Sequence, residues 1–193
     1  MQQASAQKPK LVAFDLDGTV WTPDMYQLWG GGAPFRVSDP QRELLDKSDQ
    51  PVKLLGAIGE ILHALRYEEQ WQDTKVAWVS CTDEPTWAEE CLRLFRSTPT
   101  AASSQNAPMA LVDLAHSSEI YKANKQTHMR NLQKKYPDIA FEDMLFFDNE
   151  RHNTDSTAKL GVVSIHCPRG MLATVWTSAL ETFAARKTAA GGR

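Results

Sequence analysis

Short apolar runs alternating with helix-period stretches constrain this chain most, because two of the runs end on an aspartate. Lys10-Leu11-Val12-Ala13-Phe14-Asp15 and Met144-Leu145-Phe146-Phe147-Asp148 are compact and almost wholly apolar before the acid. That is the pattern of strands buried on both faces. Val76 to Ser80 and Val162 to His166 read the same way, and Met109 to Val112 supplies a fifth strand candidate. Between them, Leu54, Leu55, Ile58, Ile61, Leu62 and Leu65 recur on one helical face, as do Trp87, Ala88, Cys91, Leu92 and Phe95. Thr82 or Asp83 is placed to cap the second of these helices, with Pro85 in its first turn. Further helices are expected from Gln126 to Tyr136, halted by Pro137, from about 153 to 160, halted by Gly161, and from Met171 to Ala185. Strands alternating with helices predict an α/β fold, a Rossmann-like three-layer sandwich around a central parallel sheet. Such sheets bind ligands at the carboxyl ends of their strands, where the strand order reverses.

Two segments break the rhythm. Residues 22–51, rich in Gly, Pro, Asp and scattered aromatics (Tyr26, Trp29, Phe35), read as an unusually long loop that makes a short insertion near the site. Ser97 to Pro108 reads as a mobile surface loop. A single domain over 9–186 is expected, between a disordered lead-in at 1–8 and a frayed tail at 187–193. The formal charge of −3 argues against a nucleic-acid binder, and no apolar run approaches the roughly 20 residues of a membrane span. Cys81, Cys91 and Cys167 are odd in number and lack zinc-ligand spacing, so three reduced thiols and a cytoplasmic location are expected. His63, His152 and His166 read as packing or surface residues.

The chemistry gathers at strand ends. Asp15 and Asp17 sit at i and i+2, on one side of an extended chain, followed by Gly18-Thr19. Clustered carboxylates are costly unless a cation joins them, and a hard divalent ion such as Mg2+ suits oxygen ligands beside a phosphate. Ser80 ends its strand at a turn whose hydroxyl and backbone N–H groups can hold phosphoryl oxygens, although the turn is also a helix cap. Lys125, with Lys122 as its competitor, precedes a helix and offers a point cation. Asp148-Asn149-Glu150 repeats the strand-then-acid arrangement.

In this order the residues resemble the haloacid dehalogenase superfamily. Asp15-Leu16-Asp17-Gly18-Thr19 looks like its first motif, Ser80 its second, Lys125 its third and Asp148-Asn149 its fourth. The chain is most similar to the small capless magnesium-dependent phosphatases, through Trp21, Glu119-Ile120-Tyr121, Thr127-His128, Phe146-Phe147-Asp148 and Gly170-Met171. The resemblance implies a phosphomonoesterase in which Asp15 forms an aspartyl-phosphate and Asp17 is the general acid and base. It further implies that Leu16, Ser80, Cys81 and Lys125 bind phosphate, and that Asp15, Asp17, Asp148 and Asn149 are the candidates to hold Mg2+. Substrates would be phosphorylated small molecules or phosphopeptides, of sugar-phosphate or phosphotyrosine type. Cys81 stands where this subgroup tends to carry arginine, and Asn149 where it tends to carry aspartate. Two other readings remain: a receiver-like phospho-acceptor, with a third strand ending near Asp113, and a catalytically weak binding protein.

Overall fold

The computed structural model describes residues 7–191. The lead-in at 1–6 and the last two residues of the expected tail lie outside the described residues. Five parallel strands form the central sheet: β1 (Leu11–Phe14), β6 (Lys75–Ser80), β7 (Ser117–Ile120), β8 (Met144–Asp148) and β9 (Val163–His166), in the order β7-β6-β1-β8-β9. Alternate residues face opposite layers, as the strand period requires. Val12, Phe14, Val76, Trp78, Leu145 and Phe147 pack into one hydrophobic core. This core also takes in α1 (Ile58–Tyr67), α2 (Pro85–Leu94), α3 (Leu111–Leu114) and α6 (Ala173–Gly191). Leu11, Ala13, Ala77, Val79 and Phe146 face the other way, onto Met129 and Leu132 of α4 (Lys125–Lys135). The remaining helix, α5 (Arg151–Ala158), follows β8. Helices cover both faces, so the three-layer expectation holds.

The third central strand differs from expectation. Met109–Val112 is not a strand: Leu111–Leu114 is a short helix, and β7 is formed by Ser117-Ser118-Glu119-Ile120. β7 is one of the sheet's two edges and has one neighbour, so it tolerates polar residues that a central strand would not. The expected end near Asp113 is corrected to Ile120, and Asp113 itself lies in α3.

The 22–51 insertion is more ordered than a long loop. With Trp21 it builds an antiparallel four-stranded sheet, β2 (Trp21–Thr22), β5 (Pro51–Leu54), β4 (Glu43–Leu45) and β3 (Arg36–Asp39), in that spatial order. Trp21, Met25, Leu28, Phe35, Leu44 and Val52 are buried in the larger core. Phe35 meets Trp87 edge-on at 6.5 Å, and its N–H donates to Glu90 Oε1 at 2.8 Å, docking the small sheet on α2. Ser97–Pro108 is likewise tied down: buried Ser97 and Ser103 both bond the buried His63. At the other end, α6 continues through the expected tail boundary to Gly191, and Lys187 Nζ reaches Asp143 at 2.5 Å.

Candidate active site

Strand order reverses between β1 and β8, which leave the sheet side by side with Phe14 paired to Phe147. Asp15 follows directly, its N–H donating to Phe147 O at 2.9 Å. Asp15 and Asp148 therefore flank the crevice where sheets of this kind bind ligands.

Between them stands Lys125, the first residue of α4, fully buried with its charge. Asn124 caps this helix, its Oδ1 accepting from Thr127 N at 2.9 Å, and so aims Lys125 into the sheet edge. Lys125 Nζ donates to Asp15 Oδ1 and to Val79 O (2.7 Å), and lies 3.4 Å from Asp148 Oδ2. Burial pushes its pKa down, but Asp15 and Asp148 more than offset this and hold it above the usual lysine range. Lys122 is exposed and pairs with Asp83 at 2.6 Å, so the choice between the two lysines falls to Lys125.

The turn after β1 is wound on Leu16, whose carbonyl accepts from Thr19, Val20 and Trp21 N–H groups. Leu16's side chain is in the core, so only its main chain can meet a phosphate. Asp17 Oδ1 accepts from Trp21 Nε1 at 2.8 Å. Gly18 has φ +70°, and a Cβ there would lie 2.3 Å from Asn149 Nδ2. Glycine is thus required twice, for its backbone and for its closeness to the fourth motif. Buried Thr19 joins the two halves: its hydroxyl reaches Asp15 Oδ2 (3.2 Å) and Asn149 Oδ1 (3.4 Å) and accepts from Asn149 N (2.9 Å). Sequence alone assigns Thr19 and Trp21 no role. Their i+4 spacing from Asp15 and from Asp17 was the available signal.

Ser80 is buried at the end of β6, its Oγ accepting from Thr82 N at 3.3 Å, so its own proton remains to be donated. Thr82 Oγ1 in turn accepts from Glu84 N, and Glu84, not Thr82 or Asp83, is the N-cap of α2. Cys81 is exposed on the cleft, which Asp15, Asp17, Asp24, Tyr26, Ser80 and Asn149 also line. Of the insertion's aromatics, Tyr26 meets this cleft. Exposed Trp29 does not line it, while Trp21 and Phe35 are buried. His166 is a packing residue, bonding Asn149 O at 2.9 Å.

Asp148 is fully buried, with Oδ1 accepting from Glu150 N and Asn153 Nδ2 and Oδ2 lacking a hydrogen-bond partner. Burial and the Asp15 charge push its pKa up to about 7, against the pull of Lys125. The same two causes raise Asp17 to about 7. The crowded carboxylates of Asp15 and Asp148, the latter with its orphaned Oδ2, and the amide oxygen of Asn149 form a donor set of oxygens, which fits a hard divalent cation. Among the described residues no trio of His, Cys, Asp or Glu gathers as a metal cluster, so neutral oxygens would complete the shell.

The Acid Phosphatase family pattern matches residues 7–186. The chain is 34% identical over 186 residues to human Magnesium-dependent phosphatase 1, covering 95% of this chain and 92% of that protein. It is 30% identical over 159 residues to a HAD-like hydrolase superfamily protein of Schizosaccharomyces pombe, covering 80% and 83%. Among solved structures, a haloacid dehalogenase-like hydrolase from Xanthomonas campestris superimposes with a TM-score of 0.58 at 16% identity, covering 93% and 98%. A Bacteroides fragilis phosphatase domain complexed with Mg gives 0.54 at 19% identity, covering 84% of this chain and 37% of that one.

Proposed function

Because the chain belongs to the Acid Phosphatase family of haloacid dehalogenase-like hydrolases, we propose that it is a magnesium-dependent phosphomonoesterase working through a phosphorylated Asp15. One observation carries this reading: Lys125 holds Asp15 at the reversal of strand order, with Asp148 beside it. A carboxylate so held by a buried ammonium faces the cleft in a fixed position, as an attacking group must.

Asp15 attacks phosphorus through a carboxylate oxygen. The bond to the leaving oxygen breaks, and that oxygen takes the proton of Asp17. Asp17, now a carboxylate, accepts a proton from the water that hydrolyses the aspartyl-phosphate. The Ser80 hydroxyl, Lys125 and the main chain at Leu16 and Cys81 bind phosphoryl oxygens. Asp15, Asp148, Asn149 and the Asp17 main-chain carbonyl would hold Mg2+, which supplies charge neutralisation between the carboxylates and the phosphoryl group.

Substrates of phosphotyrosine or sugar-phosphate type suit a cleft that the insertion borders only with Asp24 and Tyr26. Three unpaired thiols favour a cytoplasmic enzyme. A receiver-like acceptor is disfavoured by topology, since such domains use the order 2-1-3-4-5, whereas the central strands here run 3-2-1-4-5.

The test is hydrolysis of p-nitrophenyl phosphate with and without Mg2+ by the wild-type protein and Asp15→Asn. Turnover that needs both the metal and Asp15 is expected. Full activity in a folded Asp15→Asn protein overturns the mechanism, and no turnover by the wild type on any phosphoester favours a binding protein.

A further inference from the structure

Resting on the phosphatase reading above, we infer that Trp21 is a positioning residue for proton transfer, its indole N–H fixing the Asp17 carboxyl so that the other oxygen delivers the proton. Trp21 is fully buried, opens β2, and pairs with Leu54 on β5. Its ring stacks on Phe95 with centroids 6.2 Å apart and planes 20° from parallel. Its main chain is fixed to the motif it serves, with Trp21 N donating to Leu16 O at 3.2 Å and Gly18 N donating to Trp21 O at 2.8 Å. Held at both ends, the indole presents Nε1 to Asp17 Oδ1 at 2.8 Å.

An indole N–H can only donate, so Oδ1 is committed as an acceptor and the proton of a neutral Asp17 goes to Oδ2. Asp17 lines the cleft alongside Asp15 and Ser80. As the bond from phosphorus to the leaving oxygen breaks, the electron pair stays on that oxygen, the Oδ2 proton moves to it, and Asp17 is left as a carboxylate that the indole still donates to. An unfastened aspartate would sample other side-chain rotamers and lose part of the advantage of fixed geometry. Trp21 does not line the cleft; it acts through the Asp17 carboxyl. The small sheet thereby gains a task, since β2 is the strand that carries the tether.

Trp21→Phe keeps the buried ring and deletes the donor. Single-turnover rates with Mg2+ should separate by leaving group. With glycerol phosphate, whose alkoxide must be protonated, the rate should fall about tenfold or more. With p-nitrophenyl phosphate, whose phenolate leaves unaided, it should stay close to wild type, and KM should be unchanged for both. Equal losses on both substrates, or no loss on either, overturn the inference. Phe95→Leu loosens the ring but keeps the donor, so it should show a smaller split of the same sign; a split as large as that of Trp21→Phe overturns the inference too. Should Trp21→Phe fail to fold, the wild-type indole proton still reads the contact by NMR. Its resonance is expected to move in Asp17→Asn, and no movement overturns the tether. A wild type inert on both phosphoesters would instead bring down the phosphatase reading, and this inference with it.

Discussion

Lys125 is a buried charge whose removal should be felt by stability and chemistry together. It is shared by Asp15, Asp148 and Val79 O, so Lys125→Met leaves two acids facing each other in the interior. Breaking such a cluster costs about 3–5 kcal/mol, and urea unfolding should show the loss to be greater without Mg2+ than with it. A loss that ignores Mg2+ would speak against a shared cation site. Gly18→Ala should cost about 1–3 kcal/mol through the left-handed backbone and weaken Mg2+ binding in calorimetry, because Asn149 must move away. At this scale the sequence was legible wherever acid followed an apolar run, as at Asp15 and Asp148. Spacing alone does not separate Lys125 from Lys122, since it cannot tell a helix-capped lysine turned inward from one on the surface; the resemblance points to Lys125, and the fold supplies the physical reason.

Among the elements, the insertion was the least legible. Its strands are two to four residues long, and β3 carries no buried residue, so period-2 alternation has nothing to report. Beside its buried apolar residues, polar anchors order it. Asp46 is fully buried and accepts from Gly32, Ser48 and Gln50 N–H groups at 2.8–2.9 Å. Burial alone would raise its pKa, but those donors more than offset it and hold it below the ordinary carboxylate value. Asp143, between Lys10 and Lys187, is lowered in the same way against its own burial. A carboxylate with a depressed folded pKa contributes stability above its unfolded pKa and loses it as pH falls through the folded one. Stability should therefore decline below about pH 4, and Asp46→Ala and Asp143→Ala should each flatten that decline. Asp46→Ala should also cost about 2–3 kcal/mol near neutrality, since three charge-assisted hydrogen bonds are lost. Thermal unfolding across pH measures both effects, and an unchanged acid slope in both variants would contradict them.

For the whole molecule, alternation of apolar strands with amphipathic helices was enough to predict a parallel sheet with both faces covered. The strand that departs from expectation, β7, is one of the two edges, where burial on fewer sides relaxes the apolar pattern. Strand order was not readable, yet it places the chemistry: the reversal between β1 and β8 puts residues 15 and 148, distant along the chain, within reach of one lysine. Rapid quench of the Mg2+-loaded wild-type enzyme during turnover, followed by mass spectrometry of its peptides, tests the mechanism built on that placement. Phosphate should appear on the peptide containing Asp15, only when Mg2+ is present, and should vanish as substrate is exhausted. Sustained turnover with Asp15 unlabelled, or with phosphate carried by another residue, would contradict it.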